Sequence, residues 1–272
     1  MASQLVKNKW PVSVKFPDFF EVLENCGQPE IIRSKFKNHT NPVGIEVEVE
    51  GWKKTIPSLH LWECREDGSL KDSGREFVSI ILSGVLIDYA LRDLEDVFKW
   101  HGDLKWSHRT SIHVHVNLKE LPVLKLKWLI AYYALTEPYW YMMCDEKRLG
   151  NSFCFPVCSM NPRSVVPGKN WPKYCGLNLG SSLTTFNTVE FRQMHGHEDF
   201  ALYRKWIKRI CEFIDYIHNT PAKILRIQME TYLMSGKIGF KEVFGGSLPE
   251  NVDKVIYDNA KWVADFIQTG NR

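Results

Sequence analysis

Gly44-Ile45-Glu46-Val47-Glu48-Val49-Glu50 is the stretch on which the fold of this chain turns. Alternate residues of a strand share a face, so the segment puts three carboxylates on one side and Ile45, Val47 and Val49 on the other. The aliphatic side demands a core. Ser111-Ile112-His113-Val114-His115-Val116-Asn117 has the same design, with His113, His115 and Asn117 opposite Ile112, Val114 and Val116. Thr188-Val189-Glu190-Phe191-Arg192 repeats it, with Thr188, Glu190 and Arg192 facing away from Val189 and Phe191. A solvated outer face explains any one of these strands alone. It explains the three together less well, because such faces carry Lys, Thr, Ser and mixed charges, whereas these carry Glu, His and Arg and no Lys. Neighbouring carboxylates repel unless a cation sits among them. Carboxylates with one or two imidazoles suit Mg²⁺ or Mn²⁺, and the absence of Cys from these faces argues against a thiolate site. Glu76, in Arg75-Glu76-Phe77-Val78-Ser79, is a further candidate ligand.

Outward from these strands the text from Asn41 to Ser83 stays strand-like, with SLHLWE after Pro57 and REFVSI after the turn-rich DGSLKDSG. The period then changes. Leu86, Tyr89, Ala90, Leu94, Val97 and Phe98 recur at three and four, which predicts an amphipathic helix over residues 84–100 ending near His101-Gly102. An apolar helix is expected over residues 121–143, kinked or ended by Pro138. Residues 144–172, rich in Pro, read as a long loop, and KYCGLNL and FNTVEFRQM read as two more strands. Helical faces follow at Phe200, Tyr203, Trp206, Ile207, Ile210, Ile214 and Ile217, and at Val252, Val255, Ile256, Trp262, Val263 and Phe266. Strands joined by short turns and interleaved with helices predict an α+β fold, a mostly antiparallel sheet with one polar, metal-binding face and helices behind it.

The chain has 272 residues and no repeat or linker that divides it, so a single domain over 1–272 is the simplest organisation. Lys+Arg 35 against Asp+Glu 32 is a near balance that makes no case for nucleic acid or a membrane surface as partner. The basic run Tyr203 to Arg209 has its cations opposite an apolar helical face, as any solvated helix does. No apolar stretch approaches the roughly 20 residues of a bilayer span. Residues 1–16, MASQLVKNKWPVSVKF, lack the apolar core of a secretory signal, which points to a cytoplasmic chain. The Cys count of 7 is odd and no CxxC occurs, so free thiols in a reducing compartment are expected. Cys144, Cys154, Cys158 and Cys175 bracket one region, where buried thiols are the simpler reading and a small structural zinc site the alternative.

The ordered motifs also carry a family resemblance. The Glu-x-Glu strand, a downstream Glu, the His-x-His strand and the Glu-x-Arg strand resemble the active-site sheet of the glutamine synthetase and glutamate-cysteine ligase superfamily. More closely, GIEVEVE, DGSL, GREFVS, IHVHVN, an Arg before a Pro- and Cys-rich loop, and NTVEFR resemble, in that order, the amidoligase branch of carboxylate-amine ligases, over roughly residues 43–210. The resemblance implies that Glu46, His113 and Glu190 bind the metal that bridges the phosphates of ATP, and that Glu48 and Glu76 hold another. It places His115 and Arg192 beside the transferring phosphate as catalytic residues. Arg148, Asn178 and Asp67 are further expected contacts to nucleotide or substrate, and Asp67, Asp72 and Glu50 compete as the third acid of the second metal. The implied reaction joins a carboxylate to an amine on an amino acid, peptide or cell-wall peptide through an acylphosphate, with ATP and Mg²⁺ (or Mn²⁺). A divalent-metal hydrolase using the same Glu/His face is the competing enzyme class.

Overall fold

The computed structural model describes residues 38, 39, 41–235 and 253–269. The expectation for residues 1–16, Cys26 and Val252 fall outside the described residues. Among the described residues six strands form one sheet: β1 (Val43–Val49), β2 (Trp62–Glu66), β3 (Arg75–Ser79), β4 (Ile112–Asn117), β5 (Leu177–Asn178) and β6 (Thr188–Phe191), in the order β2-β3-β1-β4-β6-β5. Every pairing is antiparallel. The α-helices among the described residues are α1 (Leu86–His101), α2 (Val123–Met142), α3 (Ser181–Phe186), α4 (Phe200–Asn219), α5 (Ala222–Ser235) and α6 (Asp253–Thr269).

The aliphatic side of the sheet is buried as the alternation requires: Val43, Ile45, Val47, Ile112, Val114, Val116, Val189 and Phe191 all belong to the core. Aromatic edge contacts join it to the helices. Phe77 of β3 meets Phe98 of α1 at 5.3 Å between ring centroids, and Phe98 meets Phe200 of α4 at 5.5 Å. Phe191 of β6 lies 5.3 Å from Trp140 and 5.9 Å from Tyr133, both on α2. Helix α1 closes as its sequence predicts, with Gly102 at φ 85 donating its N–H to Phe98 O. Asp199 caps α4 by accepting from Ala201 N at 2.8 Å.

Helix α2 runs through Pro138 to Met142, close to the expected residues 121–143. A proline in a helix orphans the carbonyl four residues earlier, here Ala134 O. That oxygen accepts from Asn259 Nδ2 of α6 at 2.9 Å and from Cys158 Sγ at 3.4 Å, so tertiary partners replace the missing N–H. The preceding residue, Glu137, is buried and accepts from Val157 N at 2.6 Å and Cys158 N at 3.0 Å. Residues 144–172 are therefore not a free loop. They hold two short 3-10 turns, Glu146–Arg148 and Val157–Ser159, and bury Cys154, Val157 and Trp171.

Other expectations need correction. Ser58 to Leu61 are not strand, and β2 starts only at Trp62. KYCGLNL contributes only Leu177–Asn178 and FNTVEFRQM only Thr188–Phe191, because the short helix α3 intervenes. The basic face of α4 is engaged in ion pairs, Arg204 with Glu95 at 2.9 Å and Asp88 at 3.6 Å, and Lys208 with Glu212. Among the described residues no helix is long and apolar enough to cross a membrane.

Candidate metal centre

Antiparallel register places opposite residues on one face, and it aligns the polar residues of five strands. Glu46 lies opposite His113, Glu48 opposite Glu76, His115 opposite Glu190, and Glu190 opposite Asn178. Two groups of ligand atoms converge there, each with all atoms within 4.8 Å of one another: Glu46, His115 and Glu190, and Glu48, Asp67 and Glu76. The third acid of the second group is thus Asp67, from the turn after β2. Its competitors are committed elsewhere, Asp72 to Lys105 Nζ at 2.8 Å and Glu50 to Lys71 N at 2.8 Å.

Both histidines approach Glu46 and Glu190. His115 joins the first group, with Nε2 at 3.6 Å from Glu46 Oε1 and 3.7 Å from Glu190 Oε1. Its Nδ1 is 3.0 Å from Thr188 Oγ1, and that hydroxyl lies 3.3 Å from Ser182 O, to which it donates its one proton. Thr188 must then accept from Nδ1–H, which leaves the Nε2 lone pair facing the carboxylates when the ring is neutral. Two acids and a lone pair leave a place for a cation. Burial lowers the pKa of His115, but Glu190 and Glu46 raise it, and the balance is upward. His113 sits between the groups. Its Nδ1 is 3.3 Å from Glu46 Oε2 and 3.5 Å from Glu190 Oε1, and its Nε2 is 2.8 Å from Ser111 Oγ, which donates to Glu48.

Charge follows the same geometry. Burial pushes Glu46 up, yet His115 and His113 together hold it well below the usual carboxylate range. Burial acts likewise on Glu190, but Arg192, His115 and His113 bring it down to about 2. In the second group compensation is weaker: His113, Ser111 and Arg192 act on Glu48 and Arg65 acts on Glu76 without overcoming the opposing causes. Burial and then the Glu46, Glu48 and Asp67 charges push Glu76 up to about 8, and burial raises Glu48. An all-oxygen group this short of positive charge fits a hard divalent cation, and the Glu-Glu-His group fits one with a single imidazole ligand.

Arg192 and Asn178 meet at Glu190. Arg192 Nη1 pairs with Glu190 Oε1, its Nε donates to Phe153 O at 3.3 Å, and its guanidinium lies 5.9 Å from the Tyr174 ring centre. Asn178 Nδ2 donates to Glu190 Oε2 at 2.7 Å, and Ser182 Oγ donates to the same oxygen at 2.8 Å. Asn178, expected to contact nucleotide or substrate, lies against Glu190 and orients it. Arg148, 1% exposed, is not brought to the carboxylates: it donates to Gln193 O and Arg192 O, each at 2.7 Å, and so braces the segment after β6 that carries Arg192. The supporting hydroxyls of Ser111 and Thr188 share the parity of His113 and Glu190, a signal present in the sequence. Ser182, which arrives from α3, carries none.

The four clustered cysteines form no ligand group among the described residues. Cys144, Cys154 and Cys158 donate to the main-chain oxygens of Trp140, Arg148 and Ala134 at 3.3, 3.4 and 3.4 Å, and burial pushes all four thiols up. No protein-family model and no curated protein matches the chain.

Proposed function

We propose that this protein is an ATP-dependent carboxylate-amine ligase that forms an amide through an acylphosphate. One observation carries the reading: two ligand groups stand side by side on one sheet face, Glu46, His115 and Glu190 beside Glu48, Asp67 and Glu76, with a buried guanidinium next to them. Phosphoryl transfer asks a protein mainly for positioning and for positive charge around a moving phosphate. Mg²⁺ or Mn²⁺ held by these residues would supply most of that charge.

The chain's own residues do the rest. Glu190 is fixed from three sides by Asn178, Ser182 and Arg192. Arg192 spends Nη1 and Nε on Glu190 and Phe153, and its Nη2, which has no partner among the described residues, is the group left to meet a phosphate oxygen. The Ser111–His113 link couples Glu48 to Glu46, so the two groups are held in one register. The carboxylate and amine substrates would be amino acids, peptides or cell-wall peptides.

The deciding measurement is of nucleotide products with Mg²⁺, ATP and mixed amino acids and peptides. ADP and phosphate, released faster with the right pair, are expected. AMP and pyrophosphate would rule the acylphosphate out. The approach of both histidines to Glu46 and Glu190 also favours a second reading, a metal-dependent hydrolase, which would turn over without any nucleotide.

A further inference from the structure

Arg109 stands on the turn that leads into β4, at the end of the sheet where Glu48 lies. Among the described residues its guanidinium makes one hydrogen bond, from Nη1 to Ser69 O at 3.1 Å, and forms no ion pair. Its Nε is buried without a partner. Arg75 and Arg209 also hold a buried nitrogen with no acceptor, but each pairs with a carboxylate, Glu66 at 3.2 Å and Glu212 at 3.9 Å. Arg109 has none. A buried donor left unsatisfied is costly and asks for an explanation, and an absent ligand is one.

Two further observations say what kind of ligand. Ser69, whose carbonyl Arg109 holds, belongs to the turn that supplies Asp67: Ser69 N donates to Asp67 Oδ1 at 2.8 Å. Arg109 thus spans from the β4 side to the turn carrying a ligand of the second group, at the rim of the candidate centre. The turn bearing it is also held in place. Ser107 Oγ accepts Arg109 N at 3.0 Å, Thr110 Oγ1 accepts Ser107 N at 3.0 Å, and Asn151 Nδ2 donates to His108 O at 2.8 Å. Gly196 packs so close that a Cβ there would stand 2.6 Å from Thr110 Oγ1. A pre-positioned guanidinium with one edge unpaired, beside a group of acids that calls for a metal, suits a metal-bound oxyanion.

We infer that Arg109 is an anion-binding residue of the centre, taking a phosphate oxygen of the bound polyphosphate at the Asp67 side while Arg192 serves the Glu190 side. The identity of the anion rests on the ligase reading; the existence of the anion site does not. Isothermal titration at fixed Mg²⁺ with inorganic pyrophosphate, and separately with a non-hydrolysable ATP analogue, tests it on the wild type, Arg109→Ala and Arg109→Lys. Arg109→Ala should weaken pyrophosphate binding about tenfold or more, Arg109→Lys less, with Mn²⁺ affinity unchanged. Unchanged pyrophosphate affinity in Arg109→Ala overturns the inference, and does so with particular force if the melting temperature falls, since Arg109 would then be a strut between two turns. If the wild type binds no pyrophosphate, the inference fails as well. Pyrophosphate binding that depends on Arg109, without binding of the ATP analogue, upholds the anion site and removes the ligase. Analogue and pyrophosphate binding that ignore Arg109 do the reverse.

Discussion

The resemblance makes His113 a ligand and His115 a phosphate neighbour, whereas both rings approach Glu46 and Glu190, and single substitutions test which of them coordinates. His115→Ala removes a candidate ligand whose tautomer Thr188 sets, and should weaken Mn²⁺ binding by about 100-fold, the upper end of what partners of a metal site cost. His113→Ala should cost less metal affinity, because its Nε2 is turned to Ser111. Mn²⁺ titration followed by electron paramagnetic resonance distinguishes them, and equal losses would mean that both rings coordinate. Alternation showed that both rings share the Glu46 face; it did not show which ring reaches which acid. That depends on register, and register depends on residues far apart in the chain. Gly44 stands opposite His115 on β1 and offers no side chain, so the imidazole has room to lean diagonally to Glu46 as well as to Glu190.

At the scale of elements, the joint between α2 and residues 144–172 is the most exposed to pH. Burial pushes the Glu137 carboxyl up to about 7 from an ordinary 4.5, against the two N–H bonds that lower it. The folded protein therefore binds this proton more tightly than the unfolded chain. Its contribution to stability is complete below about pH 4.5 and is lost as pH rises through about 7, a change of about 3 kcal/mol. Glu137→Gln has nothing to titrate. It should be less stable at pH 5 by about 1–3 kcal/mol, since its amide meets an N–H donor, but its stability should fall less between pH 5 and pH 8. Urea unfolding of both proteins at the two pH values measures this, and parallel losses would place the titration elsewhere. Helices α1 and α4 were legible because their apolar residues keep to one stripe. Helix α5 was not, since Leu225, Met229 and Tyr232 are buried while Ile224, Ile227 and Met234 are exposed, and apolar residues on every side blur the period. The helix over residues 121–143 was legible, but the partner that lets α2 pass Pro138 was not, because Asn259 supplies the donor from 125 residues away.

For the molecule as a whole, the site is one face of the sheet whose other face is the core, so metal occupancy and global stability are linked. Mn²⁺ or Mg²⁺ at about 100 times its dissociation constant should add about 2.7 kcal/mol, or roughly 5–10 °C in melting temperature. Glu46→Gln should remove most of that gain, and a full gain in the variant would show that the metal binds elsewhere. The antiparallel sheet with its polar face was legible in three alternating segments, whereas the strand order was not, because β5 and β6 join the sheet beside β4 only after α2 and residues 144–172 have intervened. The two ends of that order have a consequence for crowded solutions. An outermost strand is an open row of amides that can template the addition of a foreign strand. Here one outermost strand, β2, alternates charge through Glu63, Arg65 and Glu66, tied by the Arg65–Glu63 and Arg75–Glu66 pairs, and the other, β5, is two residues long. Among the described residues neither margin offers a long apolar edge, which discourages strand addition there.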